Sequence, residues 1–208
     1  MAVSWFKRNQ TIVDAKLVLL LDSDPERGSA LKRGLLDSGY RLAERLTTAV
    51  SLLKQVEIHQ PDIMVIGIDE PDDVILQQLL LIHDYCPVPV IMFAEKEAPK
   101  LIEKIVRAGV NGFVVNDIQA HRIRPIIDIA TARFIESQKL RTELIDTKSK
   151  LENRKRIEKA KGLLMQGKGL SEDEAYQSMR KMAMDRGKSL ADVADTIIDV
   201  FDLMGEKN

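Results

Sequence analysis

Leu17-Val18-Leu19-Leu20-Leu21-Asp22-Ser23-Asp24-Pro25 is an unbroken apolar run stopped by acidic residues and a proline. A run with no polar position has no solvent face. It marks a strand covered on both sides, as in parallel sheets. The next segment, 26–38, places Ala30, Leu31, Leu35 and Leu36 at helical spacing and stops at Gly39, a C-terminal cap. The alternation then repeats. Leu46-Thr47-Thr48 is a short strand before a helix over 49–59, and Ile63-Met64-Val65-Ile66 is a strand before a helix over 74–85. A strand over 88–93 precedes a helix over 98–108, and Phe113-Val114-Val115 is the last strand. Five strands alternating with helices predict a doubly wound α/β domain with a parallel sheet over residues 16–122. Ligands in such domains sit beyond the carboxyl ends of the strands. The residues to inspect are therefore those that follow each strand.

Composition sets the outer limits. The chain has 208 residues, 45% of them hydrophobic and 30% charged, with a single cysteine. That is the balance of a soluble protein of one or two domains. No apolar run approaches the roughly 18 residues a membrane span needs. The first 16 residues hold no continuous apolar segment of the secretory type, so residues 1–15 are expected to be a tail and the protein cytoplasmic. Cys86 cannot form an internal disulfide and reads as a thiol in or near the core. His59, His83 and His121 have no ligand-type spacing and are expected at helix surfaces or ends. No metal, cofactor or catalytic constellation stands out, and the chain is expected not to be an enzyme.

Beyond residue 122 the pattern changes. Residues 123–153 contain no glycine and only Pro125, and are rich in Arg, Lys, Glu and Leu. They predict a connector within one long helix of some 35 residues, ~50 Å at 1.5 Å rise per residue. A heptad seam can be laid through Ile123, Ile126, Ala130, Arg133, Ser137, Leu140, Leu144, Thr147, Leu151 and Arg154. It is best from Leu140 through Leu144 to Leu151, enough for a conditional coiled-coil dimer; a solvated linker helix is the alternative.

Residues 154–208 predict three short helices. Gly167-Lys168-Gly169 breaks the first, Ser171-Glu172-Asp173-Glu174 is a capping box for the second, and Ser189 caps the third. Charge is uneven. Residues 150–190 hold 11 basic and 6 acidic residues, whereas residues 191–208 hold 1 basic and 5 acidic. A basic segment in a near-neutral chain suggests an anionic partner. Asp192, Asp195, Asp199 and Asp202 line the third helix and are expected to face away from it.

Two resemblances sharpen this. Asp22-Ser23-Asp24-Pro25, Pro61-Asp62, Pro89-Val-Ile-Met and Ala108-Gly109-Val-Asn-Gly112-Phe113 resemble the landmarks of bacterial response-regulator receiver domains, which are flavodoxin-like. A receiver needs an acidic pair for Mg²⁺, an acceptor Asp, a Ser/Thr and a Lys. On this alignment Asp22 keeps one acidic position. Ser23 replaces the other, Gly67 stands at the acceptor, Ala94 at the hydroxyl and Asn116 at the lysine. The resemblance implies a pseudo-receiver. Only a register slip bringing Asp69 into play would restore an acceptor.

Arg154-Lys-Arg-Ile157-Glu-Lys-Ala160-Lys161-Gly162-Leu-Leu164-Met165, Ser171-Glu-Asp-Glu-Ala175-Tyr176, Met179-Arg180-Lys-Met-Ala183-Met184 and Lys188-Ser-Leu190-Ala-Asp-Val193-Ala194 resemble the ANTAR domain. The whole layout is similar to the NasT/AmiR family of antiterminators, with the nitrate-regulated branch the nearer likeness. The resemblance implies binding to paired hairpin loops in leader mRNA and a cytoplasmic sensor partner resembling periplasmic binding proteins; the partly apolar seam predicts a homodimer that can depend on RNA or on a signal. Arg154, Lys161, Arg180, Lys181 and Lys188 are the candidate phosphate contacts, and Tyr176 is a candidate stacking residue, with packing as its alternative. A phosphorylated two-component regulator and a protein-interaction adaptor are the rival readings.

Overall fold

The computed structural model describes residues 15–116 and 119–205. The expected N-terminal tail, apart from Ala15, and the last residues of the chain lie outside them. The chain divides into two compact units, residues 1–137 and 138–208.

In the first unit β1 (Leu17–Asp22), β2 (Arg41–Leu46), β3 (Ile63–Ile68), β4 (Val90–Ala94) and β5 (Val110–Val115) form one parallel sheet in the order β2-β1-β3-β4-β5. This is the flavodoxin-like order. Between the strands lie α1 (Pro25–Asp37), α2 (Leu52–His59), α3 (Asp73–Tyr85), and a 3-10 turn (Pro99–Leu101) running into α4 (Ile102–Arg107).

The central strands bury both faces, as their unbroken apolar sequences require. Leu19, Leu21, Met64, Ile66 and Met92 pack with Leu52, Val56, Ile75, Leu79, Ile82 and Ile105 of α2, α3 and α4. Val18, Leu20, Val65, Ile91 and Phe93 pack with Leu31 and Leu35 of α1 on the other side.

The second strand differs from the expected Leu46-Thr47-Thr48. It runs Arg41-Leu-Ala-Glu-Arg-Leu46, at the sheet edge and only partly buried. An edge strand needs no unbroken apolar run, so its signal was diluted by Arg41, Glu44 and Arg45. The segment expected as one helix over 98–108 divides into the 3-10 turn and α4.

Helix α5 runs Ala120–Lys168 without interruption. Its opening turns bury Ile123, Ile127, Ala130 and Phe134, the first three inside the α1-side cluster. Gly112 of β5 lets α5 approach: a Cβ there would lie 3.3 Å from Ala130. Tyr40, just before β2, interacts with Asp128 of α5. Its phenol is pushed up to about 12 by burial and by the Asp128 charge, with Arg124 opposing. Residues 123–137 therefore complete the first unit instead of starting a separate connector at 123. Ile123 and Ala130, placed in the heptad seam, are sheet-packing residues.

In the second unit the end of α5 packs with α6 (Glu172–Arg186) and α7 (Leu190–Gly205). Ala160, Leu164, Ala175, Met179, Ala183, Val193, Ala194 and Ile197 form the core, backed by Ile157, Met182, Leu190 and Phe201. No helix among the described residues is long and apolar enough to cross a membrane.

Truncating Ile127 to Ala should cost the first unit about 2–5 kcal/mol, as large-to-small core changes do. The neighbouring exposed Ile129→Ala should stay within about 0.5 kcal/mol. Urea unfolding of the two variants checks whether this part of α5 belongs to the first core.

Candidate functional site

The receiver-type positions lie at one end of the sheet. Asp22 ends β1 and pairs in register with Gly67 of β3; Ile68 pairs with Ala94 of β4, and Ala94 with Val115 of β5. Asn116 follows, in the left-handed region at φ 56°, and donates its N–H to the Ala94 carbonyl at 3.0 Å. Asparagine tolerates that conformation. Ser23 is exposed. Asp69 lies just beyond the end of β3.

The interactions at this end were not expected. Asp22 has no solvent exposure and faces Arg27, whose side chain is 5% exposed. Arg27 donates from Nε to Oδ2 at 3.0 Å and from Nη2 to Oδ1 at 2.9 Å, a bidentate pair. Its Nη1 reaches Asp69 Oδ1 at 2.6 Å and Glu95 Oε1 at 2.9 Å. The Asp24 N–H donates to Asp22 Oδ1 at 2.9 Å. Burial alone would lower the guanidinium pKa, but the hydrogen bonds and charges of Asp22 and Asp69 together raise it.

A divalent cation and a phosphoryl group are what the receiver resemblance implies for this end, and the residues do not fit them. Both Asp22 oxygens are taken by Arg27, and Ser23 offers no carboxylate. A Cβ added at Gly67 would collide with the Asp22 carboxylate. No group of three or more His, Cys, Asp and Glu among the described residues is arranged to hold a metal. Cys86, at the end of α3, is partly buried beside the core, and burial first, then Glu57, pushes its thiol up. His59 pairs with Glu44 across 2.8 Å.

The second unit sorts its cations into two sets. Lys161 is not the open phosphate contact that the sequence suggested. Its side chain is 12% exposed, and its ammonium lies 2.7 Å from both Glu158 and Glu172. It fastens the end of α5 to the start of α6. Arg156, read only as part of a basic run, reaches Asp195 at 2.7 Å and Asn153 at 2.7 Å, and Lys159 reaches Asp202 at 3.7 Å. Asp195 and Asp202 therefore reach back to α5 instead of only lining an outer face.

Arg154, Lys155, Arg180, Lys181 and Lys188 are exposed and make no ion pair with another described residue. Tyr176 is 41% exposed and stands outside the core cluster. It shares a face of α6 with Arg180, one turn on. Lys155 was missed; its signal was the Arg154-Lys155-Arg156 run, of which the first two are exposed. The α6 capping box is formed: the Ser171 N–H donates to Glu174 at 2.9 Å and the Glu174 N–H to the Ser171 hydroxyl at 3.4 Å. Ser189 and Asp192 exchange the same pair at 3.1 Å each.

Residues 146–198 match the family model described as the ANTAR domain. The second unit carries this ANTAR match over most of its length. The chain is 25% identical over 184 residues to the transcriptional regulatory protein PdtaR of Mycobacterium tuberculosis, covering 88% of this chain and 90% of that protein. Over 77 residues, 37% of this chain, it is 43% identical to 19% of the nitrate regulatory protein of Klebsiella oxytoca. It is 28% identical over 108 residues to the aliphatic amidase regulator of Pseudomonas aeruginosa, 52% of this chain and 55% of that one. The first unit has a receiver fold. A CheY-like receiver domain from Methanospirillum hungatei superposes with a TM-score of 0.52 at 19% identity, over 60% of this chain and 99% of that one. The chain thus joins a receiver-like unit to an ANTAR domain, and its relatives are transcriptional regulators.

The ANTAR domain should lose stability in acid. Hydrogen bonds from Lys161 lower the pKa of Glu172, those from Ser171 lower that of Glu174, and those from Ser189 lower that of Asp192. A carboxylate with a depressed folded pKa contributes fully above its unfolded value, about 4. The contribution is lost as pH falls through the folded value. Lys161, raised by Glu158 and then Glu172, stays charged across the acid and neutral range, so the protonation of its carboxylate partners decides where the pair is lost. Melts followed by circular dichroism should show a flat melting temperature near neutrality and a fall below about pH 4. Glu172→Gln should lower the neutral value and shrink the acid fall.

Proposed function

We propose that the chain is a non-enzymatic cytoplasmic transcription antiterminator that binds leader mRNA through its ANTAR domain. One observation carries this reading: five exposed cations without ion-pair partners, Arg154, Lys155, Arg180, Lys181 and Lys188, stand on the same small module as an exposed tyrosine. Phosphates take the cations, and an unpaired loop base can stack on Tyr176. By resemblance, the target is a pair of hairpin loops. Lys161 keeps a supporting role, because it holds the α5 and α6 segments that carry the free cations.

Leu140, Leu144 and Leu151 are more than half exposed on α5. Pairing two copies along these leucines is the proposed dimer. Two linked ANTAR domains on two hairpins would gain effective concentration without new contacts. Control comes from protein contact, and the proposed partner is a cytoplasmic sensor resembling a periplasmic binding protein. It would release the chain when its small ligand binds. The absence of a free acceptor at Gly67 supports control of this kind over phosphorylation.

A titration of the full chain against a two-hairpin leader RNA and a scrambled RNA of equal length tests the reading. Arg180→Ala should weaken binding and flatten the salt slope by about 0.7 per lost phosphate contact. Tyr176→Ala should weaken binding to the hairpins more than to the scrambled RNA. Equal affinities for both RNAs in wild type and variants would favour an adaptor for an acidic protein.

Two further outcomes follow for assembly and input. Leu144→Glu with Leu151→Glu should reduce dimer on sedimentation and weaken binding to two hairpins while sparing binding to one. Incubation with acetyl phosphate and Mg²⁺ should give no acid-labile phosphate; stoichiometric labelling would revive the two-component reading.

A further inference from the structure

Three carboxylates at the ends of three strands converge on one side chain. Asp22 ends β1, Asp69 follows β3 and Glu95 follows β4, and all three accept from the guanidinium of Arg27 at 2.6–3.0 Å. We propose that Arg27 is a built-in replacement for a divalent cation, holding the carboxyl ends of β1, β3 and β4 in one fixed arrangement that neither a metal ion nor a phosphoryl group can alter.

The ligand set is the first support. Three carboxylates around one centre are an oxygen ligand set that suits a dication, and the guanidinium occupies that centre with one positive charge. Burial is the second. Asp69 and Glu95 are 70% and 57% exposed, and in water like charges would separate. Instead both reach to the same Nη1 of a buried arginine. The third support is how Arg27 is delivered. It is the third residue of α1, and its N–H donates to the Asp24 carboxylate at 2.7 Å, the N-cap bond of that helix. Leu31 and Leu35, on the same helix, are fully buried against the sheet. The guanidinium is therefore placed by the helix start and by core packing, without a loop that could swing it away. Arginine stays charged throughout the accessible pH range, so neither dilution nor alkali releases it.

A bound metal leaves when its concentration falls, whereas Arg27 is always present. The strand ends that a receiver uses for switching are consequently closed to small ions, and any signal must reach this unit through another surface. This inference concerns the first unit alone. It holds or fails whether or not the ANTAR domain binds RNA, and acetyl phosphate labelling bears on the phosphoryl acceptor separately.

The test compares full-length wild type with Arg27→Ala and Arg27→Gln. Free Mn²⁺ is measured by electron paramagnetic resonance, and melting is followed in MgCl₂ and in NaCl of matched ionic strength. Wild type should bind no Mn²⁺ at this end and melt identically in the two salts. The variants should melt earlier in NaCl, bind one Mn²⁺, and recover in MgCl₂. Linkage predicts an about 100-fold shift of the folding equilibrium at 100 times the dissociation constant. Adding Asp22→Asn to either variant should abolish the Mn²⁺ site. Wild-type Mn²⁺ binding that Asp22→Asn removes would overturn the proposal, and so would folded variants that bind none. If a variant does not fold in NaCl, refolding in MgCl₂ decides: recovery supports the proposal. Failure of both variants in both salts overturns it.

Discussion

A carboxylate withdrawn from water must be answered by a positive charge and by hydrogen bonds, or it will not stay ionised. Asp22, at the end of the central β1 strand, has no solvent exposure, and the order of the receiver-like end follows from how it is answered. The Arg27 guanidinium takes both oxygens, so it must lie flat beside β1, and α1 must begin where it does to deliver it. Gly67 must then lack a side chain, because the Asp22 carboxylate fills the space a Cβ would need. Losing one partner of such a buried pair typically costs about 3–5 kcal/mol. The missing acceptor and the buried arginine are two sides of one packing solution.

The same distinction between engaged and open charge governs the ANTAR domain. Counting residues gives a basic segment but not which cations can meet a ligand. Arg156, Lys159 and Lys161 are engaged by Asp195, Asp202, Glu158 and Glu172, and they join α5 to α6 and α7. Arg154, Lys155, Arg180, Lys181 and Lys188, together with Lys168 and Arg186, are exposed cations left over for a partner. Helix α5 supplies buried residues to both cores, Ile127 to the first and Ala160 and Leu164 to the second.

The α/β order was legible because the central strands are covered on both faces and so carry unbroken apolar runs, as in Leu17–Leu21 and Ile63–Ile66. The edge strand was not, because Arg41, Glu44 and Arg45 interrupt the pattern. The positions of Asp22, Gly67, Ala94 and Asn116 could be set from short motifs; their partners could not. Arg27 sits in the first turn of an amphipathic helix, where an arginine ordinarily faces water. Nothing local ties it to Asp69 and Glu95, 42 and 68 residues away. Lys161 illustrates the same gap. Helical spacing placed it beside the apolar stripe, but its two carboxylate partners depend on how α6 returns against α5. The capping box at Ser171 and Glu174 was readable because both halves lie within four residues.

The central claim is that the ANTAR domain reads leader RNA and that phosphoryl chemistry at the receiver-like end has no part in its control. Its most direct test is the dissociation constant of the full chain for a fluorescent two-hairpin leader RNA, measured with and without acetyl phosphate in the presence of Mg²⁺. The account predicts binding that prefers the hairpin RNA over a scrambled RNA, with the same constant in both conditions. A constant that changes with the phosphodonor, or no preference between the two RNAs, would contradict it.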